Sequence, residues 1–355
     1  MSPSSLRRTR ALLSASLLAA SVLALGSPVA MAAVPMTHIH ANTSSCITGS
    51  DTIIEDSDLG VEVQLWSSGG QLLDTADSGV VDGDWDVCVD RDLQAGMRVD
   101  VRTFQGGMLI GRLTLPAIGV QVDRASDVVK GTGPRNQQLQ IRLSRCTIVA
   151  PTGCPLVATR TVTADGQGKF SKDVTSAMNL RGLDLVAVRS TDPSGDQFTR
   201  RIDVPVMFLT VGSPFVQARS RPGVEARFRL LDHPGGSSIS TRDVPFNGEG
   251  ESEFEFSKVV SAGRQVRSDI ASDALVTIPT VSVQMVESGS DQVIKARCLP
   301  DRKMVVEYAS AVRVLTADHN GRANFVSDVA IAPDPFLVVR CQTPGGDTLL
   351  ARTGV

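Results

Sequence analysis

The chain has 355 residues, of which 42% are hydrophobic, 4% aromatic and 21% charged, and its formal net charge is −3. A chain of this length ordinarily folds into two or three domains. The acidic balance argues against a protein that binds nucleic acid or anionic membranes, because both ligands select a basic surface. We therefore expect no nucleic-acid partner.

The first 32 residues have the three parts of a secretory signal peptide. Three arginines between residues 7 and 10 form a basic start, an apolar run covers residues 11–25, and Ala30-Met31-Ala32 fits an A-x-A cleavage site. A retained membrane anchor is the alternative, but the run is shorter than the ~20 residues that cross a bilayer. We predict cleavage after residue 32, no transmembrane segment afterwards, and a mature protein of charge −6 that is secreted, periplasmic or at the cell surface.

Four short strings with alternating apolar and polar residues suggest an internal repeat: VEVQL (61–65), LQIRL (139–143), VEARF (224–228) and IKARC (294–298). Alternation with period two is typical of a strand that has one buried face and one wet face. We expect Val61, Val63 and Leu65 to point inward, and Glu62 and Gln64 to point outward.

Prolines precede further alternating runs at regular intervals, at Pro35, Pro116, Pro205 and Pro279. A proline suits the first residue of an edge strand, where one backbone donor can be spared. The spacing predicts four modules after the signal peptide (1–32), with bounds 33–115, 116–204, 205–278 and 279–355. The linkers are short and proline-stiffened, so we expect neighbouring modules to stack end to end over small contacts.

A second repeated string, at residues 75–85, 163–170 and 316–325, consists of T-A-D, a turn rich in glycine, asparagine and aspartate, and an aromatic residue. It predicts a β-hairpin, because glycine and asparagine accept positive φ and aspartate bonds to nearby backbone amides. The aromatic residues that follow are expected in the core: Trp85, Phe170, Phe254 and Phe325. Calcium at Asp318 and Asn320 is the alternative, but the closing glutamate of a calcium loop is missing, and we expect no cofactor.

Short strands and turns in modules of this size indicate an all-β protein. The pattern resembles the immunoglobulin-like and fibronectin-III-like tandem modules of bacterial secreted and surface proteins. This resemblance implies a tandem array of four antiparallel Ig-like β-sandwich modules, and a role as spacer, adhesive surface or accessory domain.

Six cysteines in an exported chain predict disulfides. Pairing neighbours keeps every bond inside one module and joins Cys46 to Cys88, Cys146 to Cys154 and Cys298 to Cys341. The alternation places Cys298 and Cys341 toward the core, in a bridge between two sheets as in immunoglobulin domains. Cys88 is out of phase with its apolar neighbours, so its bond is expected on an outer face.

Two features are candidate binding sites. His38 and His40 share the polar face of the first strand and could hold Zn²⁺ or Cu²⁺, although structural sites usually need four ligands. Trp66 follows outward-facing residues and could be an exposed contact for a sugar or a protein. Packing beneath a loop is the alternative for Trp66.

The sequence contains no H-E-x-x-H, G-x-S-x-G, C-x-x-C or phosphate-loop motif. We therefore predict a non-enzymatic, exported structural or adhesive protein of the cell surface, whose partner is a protein or a polysaccharide of the cell envelope. A carbohydrate-binding or other ligand-binding accessory protein is the alternative, and a hydrolase comes third.

Overall fold

A computed structural model describes residues 38–42, 45–50, 60–81, 83–103, 107–149, 153–270, 274–332 and 336–353, which belong to one compact unit. The predicted signal peptide and Pro35 lie outside the described residues. Within these ranges every named element is a β-strand, so the protein is all-β. The same ranges hold no helix with the length and hydropathy of a membrane span.

The described residues of the first module form seven strands: β1 (His38–Asn42), β2 (Cys46–Ser50), β3 (Gly60–Trp66), β4 (Leu72–Gly79), β5 (Asp84–Cys88), β6 (Arg98–Thr103) and β7 (Leu109–Thr114). Strands β1, β2 and β5 lie in one sheet, and β4, β3, β6 and β7 form a second sheet in that order. All pairs within the module are antiparallel. The two layers therefore form a sandwich of three strands against four.

The second module repeats this arrangement with β8 (Gly119–Asp123), β9 (Val128–Thr132), β10 (Gln138–Ser144), β11 (Leu156–Thr163), β12 (Lys169–Asp173), β13 (Leu185–Thr191) and β14 (Gln197–Asp203). Its three-stranded sheet has the order β12-β9-β8. Its four-stranded part has the order β11-β10-β13-β14.

The third module contains β15 (Val206–Thr210), β16 (Phe215–Arg219), β17 (Glu225–Leu231), β18 (Ser238–Pro245), β19 (Glu251–Glu255), β20 (Gln265–Ser268) and β21 (Ala274–Thr277). The fourth contains β22 (Ser282–Ser288), β23 (Asp291–Arg297), β24 (Lys303–Tyr308), β25 (Ala311–Thr316), β26 (Arg322–Val326), β27 (Leu337–Gln342) and β28 (Thr348–Arg352). Both modules again place strands one, two and five in one layer and the other four in the second.

Modules are joined in pairs by continuous sheets. The first strand of the first module, β1, pairs in parallel with β14, the last strand of the second. In the same way β15 pairs in parallel with β28. The first half (β1–β14) and the second half (β15–β28) therefore each contain one seven-stranded sheet, and each half has its own hydrophobic core.

End-to-end stacking over small contacts was therefore the wrong expectation for modules within a half. Their sheets meet edge to edge and share backbone hydrogen bonds between β1 and β14 and between β15 and β28. The physical reason is that alternation specifies which face of a strand is buried but carries no information about which strand occupies its edge.

The phase predicted for the third strand is confirmed. Val61, Val63 and Leu65 are fully buried, whereas Glu62 and Gln64 on the other face of β3 are partly exposed. One of the four aligned strings was misplaced, however. The first four residues of IKARC (294–297) lie on β23, the second strand of its module, whereas the other three strings fall on third strands.

The T-A-D string does not form a hairpin. Asp165 does close a tight turn, because its Oδ1 accepts the backbone N–H groups of Gln167 and Lys169, both at 2.8 Å. The strands that flank this turn, β11 and β12, lie in different sheets, so the connection crosses the sandwich. The following aromatic residues do pack inward: Trp85 and Phe170 are buried, and Phe254 and Phe325 pack partly buried against the core.

Candidate functional site

Two loops with the pattern x-P-x-G-D stand next to the edges where modules join. We name them the clasp loops: residues 192–196 precede β14, and residues 343–347 precede β28. Each is a tight turn that contains a glycine with positive φ, which is 95° at Gly195 and 89° at Gly346. The final aspartate of each loop reaches from one module to the backbone of the other.

In the first half, Oδ1 of Asp196 accepts the backbone N–H of Ile39 at 2.8 Å. Asp196 is 5% exposed and also lies near Asp192, whose carboxylate accepts the hydroxyl and amide of Ser194. Burial, more than any other influence, raises the pKa of Asp196 above its ordinary value, and the negative charge of Asp192 adds to the effect. The clasp therefore fixes β1 beside β14 through a buried carboxylate.

In the second half, Oδ1 of Asp347 accepts the N–H of Met207 at 2.9 Å, which is the same contact. This clasp has an additional partner, Arg124, from the loop between β8 and β9. The guanidinium donates to both carboxylate oxygens, at 3.1 and 3.0 Å, and to the carbonyl of Pro205 at 3.2 Å. The side chains of Arg124 and Asp347 are 8% and 1% exposed, so this ion pair joins the two halves in a buried position.

Backbone contacts complete this joint. The N–H of Gly182 donates to the carbonyl of Gly345 at 2.8 Å. A side chain at Gly346 would overlap the backbone of Gly182, so glycine is required there for space as well as for its positive φ. These residues belong to none of the predicted strand or turn patterns, although the recurrence of D-P-S-G-D and T-P-G-G-D is visible in the sequence.

The two candidate metal ligands lie on the outer face of β1. His38 is exposed and His40 is partly buried, while Ile39 and Ala41 face the core. Burial, followed by the nearby charges of Arg189 and His38, lowers the pKa of His40. Among the described residues, the sole His/Cys/Asp/Glu group with metal-binding spacing is elsewhere, and it consists of Asp86 with two disulfide-bonded cysteines.

Trp66 ends β3 and is partly buried. The guanidinium of Arg98 lies 4.8 Å from the centroid of its ring, and Arg98 forms an ion pair with the buried Asp100 at 3.0 Å. One face of the indole is therefore occupied by an arginine that is itself held in place. A ligand that stacked on this face would have to displace it.

Three disulfides are present, and they join Cys46 to Cys88, Cys146 to Cys154 and Cys298 to Cys341. Cys46 and Cys88 are opposite each other in the register of β2 and β5, on the outer face. Cys298 and Cys341 are 3% and 0% exposed. Because Cys298 follows β23 and Cys341 lies on β27, this bond connects the two layers of the fourth module.

A buried carboxylate stabilises the turn before β13. Asp184 is fully buried, accepts the backbone N–H of Arg181 at 2.7 Å and forms an ion pair with Arg145 at 3.0 Å. Burial raises the pKa of Asp184 to about 6, and the hydrogen bond from Arg181 and the charge of Arg145 offset part of that rise.

The raised pKa of Asp184 predicts a stability change with pH. The folded state favours the neutral form of the buried Asp184 carboxyl group. The resulting contribution to the unfolding free energy is complete below the pKa of about 3.8 in the unfolded state, and it is lost as pH rises through about 6. We expect the unfolding free energy of the wild type, relative to that of Asp184→Asn, to fall by about 2 to 3 kcal/mol from pH 3.5 to 7. Urea titrations across this range measure it, and parallel pH profiles for the two proteins would contradict the assignment.

A groove of about 630 Å³ lies between the second module and the outer face of the second-half sheet. Its floor includes Phe208, Phe215 and Leu350, and its wall includes the ion pair of Arg219 with Glu251, at 2.9 Å. Charged and polar side chains make up much of the remaining lining, so the groove presents a mixed apolar and polar surface.

Comparison with known proteins gives only distant likenesses. No protein-family model and no curated protein matches the chain. A solved structure described as "Biofilm associated protein - BSP domain" is 10% identical over 89% of this chain and 94% of its own, with a TM-score of 0.19. Another, "Structural insight into host cell surface retention of a 1.5-MDa bacterial ice-binding adhesin", is 12% identical over 90% and 96%, with a TM-score of 0.20. TM-scores this low carry no conclusion about function.

Proposed function

We propose that this chain is a non-enzymatic, exported structural or adhesive protein of the cell surface, with Ig-like modules at residues 33–115, 116–204, 205–278 and 279–355. The observation that carries the proposal is the joining of modules in pairs by continuous sheets. Tension between the chain ends would act on rows of backbone hydrogen bonds and on buried clasps, rather than on flexible linkers. Such a construction suits a protein that holds two surfaces together.

The strand arrangement supports the Ig-like assignment. Each module packs strands one, two and five against the other four. In the fourth module the disulfide of Cys298 and Cys341 joins the second and sixth strands across the sandwich, as the inter-sheet disulfide of immunoglobulin domains does. Fibronectin-III-like domains share the sandwich architecture.

The use of buried charge supports a structural role. Asp184, Asp196 and Asp347 each accept a backbone N–H, and two of them also pair with an arginine. These carboxylates hold loops and strand edges in place, as expected of a structural protein.

The three disulfides fit an oxidising environment outside the cytoplasm. We propose that the mature protein is secreted, periplasmic or at the cell surface after loss of residues 1–32. Its partner would be a protein or a polysaccharide of the envelope, with no nucleic acid and no transmembrane segment in the mature chain.

Antibody labelling of intact producing cells tests this location. An epitope inserted at Gly235, in the exposed turn between β17 and β18, should be labelled without permeabilisation or be found in the medium or periplasm. The matched control lacks residues 2–32 and should remain in the cytoplasm. Labelling of the complete chain only after the inner membrane is permeabilised would contradict the proposal.

A further inference from the structure

Three arginines lie on adjacent strands of the first-half sheet, on the face that points away from the core. Arg142 is on β10, Arg189 on β13 and Arg201 on β14. Arg142 and Arg201 both align with Ala187 in the register, so their Cα atoms are about 10 Å apart. We name this surface the arginine face.

The arginine side chains lie close together. Ala187 is on the outer side of its strand yet only 8% exposed, as expected if the aliphatic stems of Arg142 and Arg201 cover it. Burial, and then the positive charges of Arg142 and Arg201, lower the pKa of Arg189. A bound anion would reduce the repulsion between these positive charges.

A shallow depression of about 310 Å³ adjoins Arg189. Apart from Arg189, its lining is dominated by amide and hydroxyl side chains, among them Gln138, Gln140, Thr161 and Gln197. Within the described structure, Oε1 of Gln197 is buried and has no hydrogen-bond partner. The depression therefore combines hydrogen-bonding groups suited to hydroxyls with a cationic border.

We propose that the arginine face binds a linear polysaccharide of uronic acids. Guanidinium groups pair with carboxylates through two parallel hydrogen bonds, and the amides and hydroxyls of the depression bond to the hydroxyls of the sugars. The cationic groups spread over three strands match carboxylates that recur along a chain. The proposal deepens the proposed function, and rests on it, because it names the envelope polymer that the protein contacts.

Nucleic acid is the less suitable anion. Tight binding to duplex DNA usually draws on many phosphate contacts, and single strands bind on aromatic platforms. Three arginines provide few phosphate contacts, and the described residues that line the depression include no aromatic ring.

Binding of the purified protein to immobilised polygalacturonate tests the proposal directly, with dextran as the neutral polymer and a short DNA duplex as the other polyanion. We expect binding to polygalacturonate that weakens with salt, and none to dextran. The double variant Arg142→Gln, Arg189→Gln should bind at least about tenfold more weakly, because two charge-assisted contacts are lost. Its matched control is Arg229→Gln, on β17 in the other half, which should bind like the wild type.

A second variant leaves the arginines intact. Thr161→Asp adds a negative charge on the exposed edge strand β11 and should also weaken binding, whereas Thr316→Asp on β25, the equivalent edge of the second half, should not. Unchanged affinity in a folded Arg142→Gln, Arg189→Gln or Thr161→Asp protein would overturn the proposal, and so would stronger binding to the duplex than to polygalacturonate. Neither result would affect the cell-surface location, which is measured separately on cells.

Discussion

Replacing Asp347 with alanine is expected to lower the free energy of unfolding by about 3 to 5 kcal/mol. The carboxylate is 1% exposed and binds both the guanidinium of Arg124 and the N–H of Met207. Alanine leaves a buried positive charge without its partner and a backbone donor without an acceptor, and both groups have lost water. Urea unfolding followed by circular dichroism measures the loss.

The matched control is Asp196→Ala in the first half. Asp196 accepts the equivalent backbone N–H from Ile39, but the salt bridges of the described residues include none to it. We expect a loss of about 1 to 3 kcal/mol, since no buried arginine is left behind. Equal losses in the two variants would show that the ion pair with Arg124 does not join the halves as described.

Trp85→Ala is expected to cost about 3 to 5 kcal/mol, because the indole is 4% exposed in the core of the first module. Its ring lies directly over Gly49 on the neighbouring strand, where even a methyl group would overlap it. Removing the ring would leave a large cavity between well-fixed strands. Thermal and urea unfolding of the variant measure the effect.

Trp66→Ala is the companion variant and should cost about 1 to 2 kcal/mol. Trp66 is only partly buried, and its contact with Arg98 lies near the end of β3. Similar small losses for both tryptophans would mean that Trp85 does not occupy the core position.

The strand faces were predictable because the burial of alternate residues appears directly in the order of residue types. Leu139, Ile141 and Leu143 of β10 are fully buried, as the alternation required. The same signal aligned IKARC with third strands, although it falls on a second strand. Second and third strands cannot be told apart in this way, because both alternate apolar and polar residues. Periodicity identifies a half-buried strand without identifying its position in the sheet.

Partners across edges were not predictable from local pattern. The pairing of β1 with β14 joins residues 157 positions apart, such as His40 and Gln197, and no periodicity reports contacts of that range. The turn at Asp165 shows the same limit, since its chemistry was predicted correctly and its connection between sheets was not. Arg124 is a single arginine in a loop, and nothing beside it in sequence indicates that it pairs with Asp347.

Single-molecule force spectroscopy, with the protein pulled by its two ends, tests most directly the claim that modules work as sheet-joined pairs. We expect two main unfolding events, one for the strands of His38–Asp203 and one for those of Val206–Arg352, because breaking either seven-stranded sheet disrupts two modules together. Four separate events, each releasing one module of seven strands, would contradict the account. They would show that the pairing of β1 with β14 and of β15 with β28 does not join neighbouring modules into one mechanical unit.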